Sequence, residues 1–155
     1  MNNQTEATER SVTTVDPKLV GIGGWLVLPA IGFVLGPIIG VFSLGAAVGL
    51  FSDVANAGYG GLYSMELFVQ VGLLVFLIYA ATRFFRKKSD APSTIIALLL
   101  VSLVASGLLL LIELGAGAEE FAIESGKQLV RDAIGAAIWI PYFRASKRVK
   151  ATFVN

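Results

Sequence analysis

Few residues in this 155-residue chain are placed to do chemistry. Glu113 stands near the end of a long apolar run at 93–114, and Arg131 and Asp132 stand near the start of another at 128–143. On a helix turning about 100° per residue, Ser102, Ser106 and Glu113 share one face within about 40°. Charges inside apolar helices turn toward other helices and find partners there. Glu113 and Arg131 are therefore the candidates for an intramembrane polar pair across one mouth of a helix bundle. In the alternative, each snorkels separately to lipid headgroups. Gln70 is a further interior candidate and reads as an interhelical hydrogen-bonding residue more readily than as a ligand contact.

Other chemistries are excluded by residue type or spacing. The chain has no Cys and no His, which removes disulfides, thiolate nucleophiles, Cys/His metal sites, His general bases and every triad built on His. Gly21-Ile-Gly-Gly-Trp-Leu lacks the last glycine of a dinucleotide fingerprint, because Leu26 occupies it, and no strand precedes it. Ser125-Gly-Lys-Gln is not a phosphate loop, since Phe121 replaces the earlier glycine and Gln128 the metal-binding hydroxyl. Adjacent Glu119 and Glu120 diverge by about 100° on a helix and read as a solvated acidic face. The chain has no catalytic, cofactor-binding or metal-binding set, and is expected to be non-enzymatic and to need no cofactor.

The elements that must position these residues are membrane helices. Hydrophobic residues make up 55% of the chain and charged residues 15%, against about 25% charged in a typical soluble domain. Apolar blocks at about 25–51, 66–85, 93–114 and 128–143 are read as four spans. The last is short, 16 residues, and the charge map decides it. Arg83, Arg86, Lys87 and Lys88 form one basic cluster; Arg144, Lys147, Arg148 and Lys150 form a second. Residues 52–65 hold no Lys or Arg, and 115–127 hold Glu119, Glu120 and Glu124 against Lys127. Basic residues stay on the cytoplasmic side, so only an even number of crossings keeps both clusters inside. The expected fold is an all-α integral membrane four-helix bundle with both termini cytoplasmic. It comprises a disordered tail over 1–20, a four-span domain over 21–145 and a basic tail over 146–155. The basic residues are accounted for by threading, so nucleic acid is not an expected partner.

Within the first span, Gly32, Gly36, Gly40, Ser43 and Ala47 form a stripe of small residues covering about 80° of arc. Such a stripe lets a second helix approach closely, either inside the bundle or between subunits. Pro37 is expected to kink this span. Ser89, Asp90 and Pro92 mark a stop and restart before the third span. Tyr59, Tyr63, Trp25, Trp139 and Tyr142 lie where amphipathic rings meet headgroups, and Glu124 and Lys127 are spaced to pair at i,i+3.

Three segments carry a family likeness: Ile22-Gly-Gly-Trp-Leu before a Pro- and Gly-rich span, Phe84-Phe85-Arg86-Lys87-Lys88 with Pro92 beyond, and Ile138-Trp-Ile-Pro-Tyr-Phe continuing from Ser146 to Phe153. With these the chain resembles the bacterial family catalogued as domain of unknown function 2569, across nearly everything from Gly21 onward. The resemblance implies a small multi-pass protein of the bacterial inner membrane and contributes no site residues.

The function expected from these features is interaction, as an accessory or regulatory membrane subunit. The alternative is a small oligomeric transporter or channel for a small solute. The partners are the lipid bilayer and either further copies of the chain or a larger membrane complex. The basic cluster of Arg144, Lys147, Arg148 and Lys150 is a topology anchor or a docking surface. A reporter fused after Asn155 should be active only in its cytoplasmic form; a periplasmic reporter would refute the even number of crossings.

Overall fold

The computed structural model describes residues 21–154, and these are almost entirely helical. The tail expected over 1–20 lies outside the described residues. A short 3₁₀ turn, Gly24–Leu26, leads into α1 (Val27–Val54). A wide turn, Ala55–Tyr59, joins α1 to α2 (Gly60–Phe85). Then follow α3 (Ala91–Gly115), α4 (Glu119–Ala145) and a short α5 (Lys147–Thr152). Two continuous helical stretches, Gly24–Phe85 and Ala91–Gly115, are long and apolar enough to cross a membrane. The first is broken at Gly58, whose φ of +91° lies in the region that favours glycine, and so contains both α1 and α2.

Local chemistry sets the ends. Pro29 lies in the first turn of α1, where a missing N–H costs nothing. α2 ends in a Schellman motif: Lys88 N donates to Arg83 O at 3.1 Å and Lys87 N to Phe84 O at 3.0 Å, with Lys87 at φ 52°. α3 ends the same way around Gly117, φ +69°, with Ala118 N donating to Glu113 O at 2.9 Å. Asp90 caps α3 through its backbone carbonyl, which accepts from Thr94 N at 2.9 Å. Its carboxylate instead meets Arg83 at 3.1 Å across the turn. Asp and Glu side chains favour helix N-termini, and α4 opens on Glu119 and Glu120. It runs 27 residues, well beyond the 16 of the short span 128–143, and continues through Pro141.

The segment expected as a basic tail over 146–155 is folded back. In α5, Val149 and Thr152 are each 1% exposed, and Phe153 just beyond it is 5% exposed. Val149 and Phe153 join Leu26, Phe33, Phe84, Ala91, Ile95 and Phe143 in one apolar cluster. Thr152 Oγ1 accepts from Gly21 N at 3.1 Å and donates to Gly21 O at 3.2 Å. Arg148 lies over Gly23, where a β-carbon would stand 2.9 Å from its Nη1. Both basic clusters, on the α2–α3 turn and on α4–α5, therefore flank the same end of the molecule.

The small-residue stripe is corrected in part. α1 turns Phe33, Gly36, Pro37, Gly40, Leu44 and Ala47 inward, while Gly32 and Ser43 are exposed. A strict four-residue repeat drifts about 40° per step around a helix, so the packed face follows alternating steps of three and four instead. The stripe serves internal packing: a β-carbon on Gly36 would meet Leu77 at 3.1 Å, and one on Gly40 would meet Leu74 at 2.7 Å. Tyr63 is also buried, 8% exposed, because its hydroxyl donates to Ala47 O at 2.9 Å and its ring stacks near Phe121.

Overpacking a close helix contact costs about 1–3 kcal/mol. Gly40→Ile should therefore destabilise the protein by that amount in detergent unfolding. Gly45→Ile, whose β-carbon meets nothing within 4 Å, should not.

Candidate functional site

α4 exposes both apolar and charged side chains. Ile123, Val130, Ile134 and Ile138 are exposed, while Ala122, Ser125 and Ala136 are buried. Ser125 and Asp132 turn toward α2 and α3, while Glu124, Lys127, Gln128 and Arg131 are exposed. α3 and α4 approach closely: a β-carbon on Gly107 would stand 3.7 Å from Leu129 Cδ1, and one on Gly126 4.0 Å from Leu110 Cδ1.

Between α2, α3 and α4 lies a cavity of about 280 Å³. Glu66 and Gln70 line it from α2, Ser102 and Ser106 from α3, and Glu124, Ser125, Gln128, Arg131 and Asp132 from α4, with Val69, Leu73 and Leu109 completing the wall. Polar groups inside an apolar helix assembly are costly unless they meet partners. Here most do. Ser106 Oγ donates to Asp132 Oδ2 at 3.0 Å, joining α3 to α4. Gln128 Nε2 donates to Asp132 Oδ1 at 2.9 Å. Arg131 Nη2 meets Glu124 Oε1 at 3.2 Å, and Lys127 Nζ meets Glu124 Oε2 at 3.1 Å. The Lys127 hydrogen bond and charge, with Arg131 adding to them, hold the Glu124 carboxyl below the usual carboxylate range.

The Glu113–Arg131 pair is not formed among the described residues. Arg131 turns along its own helix to Glu124, one element away from the expected partner. Glu113 is 1% exposed, and its Oε2 is buried without a hydrogen-bond partner. Neither is it snorkelling, since it is enclosed within the helices. Ser102 and Ser106 do face the interior with Gln70, and all three line the cavity. The sequence reading passed over Glu66 and gave Asp132 no partner. Asp132 had a legible signal, lying four residues from Gln128 on one helix face; Glu66 had none beyond being a carboxylate at the start of an apolar run.

At the opposite end, Arg144, Lys147 and Lys150 are exposed, while Arg148 is half-buried against the Gly23–Gly24 backbone. This basic end and the cavity are distinct places in the fold.

The fold defines an all-helical protein whose helices expose many large apolar side chains, the pattern of a membrane protein. The family described as protein of unknown function (DUF2569) matches residues 19–154, and the chain belongs to it. The chain is 28% identical over 160 residues to the inner membrane protein YdgK of Escherichia coli (strain K12), covering 93% of this chain and 99% of that protein. No solved structure matches.

A double-mutant cycle should find coupling between Glu124 and Arg131 and none between Glu113 and Arg131. Ser106→Ala strips Asp132 of a donor and should destabilise the fold by about 1–3 kcal/mol in detergent unfolding. Ser93→Ala, at the exposed start of α3, should cost under about 0.5 kcal/mol.

Proposed function

We propose that this chain is a multi-pass protein of the bacterial inner membrane, with four spans in a bundle and both termini cytoplasmic. It acts without catalysis, as an accessory or regulatory subunit of a membrane assembly. One observation supports the topology above others: Phe84, Ala91, Phe143 and Val149 share one apolar cluster, so both basic segments flank a single end of the helices. Basic residues at one end of a helix assembly stay on the cytoplasmic side. α4 is the least apolar of the four, and its spanning role rests on its exposed stripe of Ile and Val and on the inward-facing Ser125 and Asp132. The E. coli relative, an inner membrane protein by name, supports the same location.

The lack of catalytic residue sets and the small extent of the described residues outside the helices favour a role through interaction. A second reading, a small oligomeric transporter or channel, is favoured by the polar cavity. The two differ in whether a solute crosses the bilayer.

Because the chain has no Cys, a single introduced thiol reports position without background. Asn56→Cys should react with a membrane-impermeant maleimide from the periplasmic side, and Ser89→Cys only after the cytoplasmic side is opened. Labelling of both from one side would overturn the topology. In mild detergent the tagged chain should recover the same membrane partner, or itself, in repeated preparations; recovery of neither would overturn the accessory role. Solute flux in proteoliposomes of the chain alone would favour the second reading.

A further inference from the structure

Among the described residues, six cations at the end around Phe84 form no ion pair. They are Arg86, Lys87 and Lys88 on the α2–α3 turn, and Arg144, Lys147 and Lys150 on α4 and α5. Asp90 is the one described carboxylate beside them, and Arg83 takes it at 3.1 Å. The pairs of Glu124 with Lys127 and Arg131 lie toward the start of α4. Threading asks only that basic residues stay on one side of a membrane, and a loose tail would serve it equally well. Here the positions are fixed as well. Lys87 N and Lys88 N close the end of α2 through Phe84 O and Arg83 O. α5 is held by the burial of Val149 and Thr152, and Ser146 Oγ accepts from Val149 N at 3.4 Å at its start. Lys147 and Lys150 share its exposed side. The rings of Phe84 and Phe153, 5.3 Å apart, tie the end of α2 to the end of α5, so both sets of cations are anchored on one apolar centre. Like charges gathered in this way repel one another unless an anion answers them.

We propose that this end binds the phosphate headgroups of anionic phospholipids, with the α2–α3 turn and α4–α5 acting together as one site. The inference rests on the membrane reading above. Charge complementarity supports it, since each Lys or Arg near an anionic bilayer surface strengthens attachment. The chemistry of the donors suits phosphate: a guanidinium gives two parallel hydrogen bonds, and an ammonium a compact charge. A lipid fits better than an acidic polypeptide, because large apolar side chains are exposed beside the cations. Trp25, Phe85 and Val154 are all exposed. Phe85 adjoins Arg86 in the chain, and Trp25 adjoins Gly24, over which Arg148 lies. Cations next to exposed apolar side chains match the boundary between headgroups and acyl chains. A free phosphate would engage the cations and leave those side chains in water.

The full chain in non-ionic detergent micelles is titrated with four probes: phosphatidylglycerol, zwitterionic phosphatidylcholine, inorganic phosphate and polyglutamate. Ionic strength is held constant, and bound probe and thermal midpoint are both read. Phosphatidylglycerol should bind saturably and raise the midpoint. The other three should bind at least about tenfold more weakly, a loss that two or more basic contacts account for. The triple variant Arg86→Gln, Lys87→Gln, Lys88→Gln should weaken phosphatidylglycerol at least about tenfold, and so should Arg144→Gln, Lys147→Gln, Lys150→Gln. Lys127→Gln, at the other end of the helices, should leave it unchanged. Val149→Ser, which loosens α5 and alters no charge, should also weaken it. Equal binding of phosphatidylcholine or inorganic phosphate would overturn the proposal, and equal binding of polyglutamate would assign the face to an acidic polypeptide instead. Full affinity in either triple variant would overturn it too, as would full affinity in Val149→Ser or no saturable binding at all. If Val149→Ser does not fold, the four probes and the two surface variants still decide the matter. Micelles have no sides, so the titration reads this site independently of the thiol labelling that tests the topology.

Discussion

The rest of the structure depends on the enclosure of Phe84. Its side chain is fully buried at the end of α2, with ring centroids of Phe33, Phe153 and Phe85 at 5.1, 5.3 and 5.4 Å. Leu26 arrives from the turn before α1, Ala91 from the start of α3, Phe143 from α4 and Val149 from α5. Every helix therefore reports to one apolar centre. The Schellman motif at Lys87 and the Arg83–Asp90 ion pair turn the chain sharply enough to keep α2 and α3 both in contact with it. The two blocks that carried the family likeness at the chain's ends meet here, through Thr152 and Gly21 and through Arg148 over Gly23. Their residue choices are accounted for by this closure: glycine where a guanidinium must lie on the backbone, and Val, Thr and Phe where α5 is buried.

The other half of the molecule is held by different chemistry. Hydrogen bonds from Tyr63 to Ala47 and from Ser106 to Asp132 cross between helices there. The cavity lies among these polar contacts, away from the aromatic centre. Apolar packing supplies a firm end and polar contacts an end with room in it. In an apolar solvent this division is economical: hydrocarbon outside cannot compete for hydrogen bonds inside, so each bridging side chain fixes helix register as well as adding stability.

Much of the helical plan was legible, and the reasons are local. Apolar runs bounded by Gly, Pro and charge mark α2 and α3 from residue types alone, and Glu124 with Lys127 announced a contact that the structure forms at 3.1 Å. The errors are non-local. Arg131 had two carboxylates within plausible reach, and the choice of Glu124 over Glu113 depends on how α3 and α4 are rotated, which periodicity does not report. The α5 segment read as a tail because its Lys and Arg outnumber its apolar residues; that Val149, Thr152 and Phe153 share a buried side emerges only when the helix is placed against Gly21. Gly32 and Ser43 were assigned to the packed stripe by small size and helical angle, and the true face passes through Phe33 and Leu44.

The acidic balance of charge at the end opposite Phe84 bears on how the chain enters a bilayer. From residue 25 to residue 65 the one charged side chain is Asp53, set just before the wide turn at Ala55–Tyr59. The turn between α3 and α4 leads into an acidic start of α4, with Glu119, Glu120 and Glu124 against Lys127. For the topology proposed above, both turns must move outward across a membrane whose interior face is electrically negative. A resting potential does work of about 2.3 kcal/mol per elementary charge for each 100 mV, and on carboxylates that work is outward. The same potential retains the Arg and Lys residues left behind. In that topology each helical hairpin is drawn into place by the cell's own electric field.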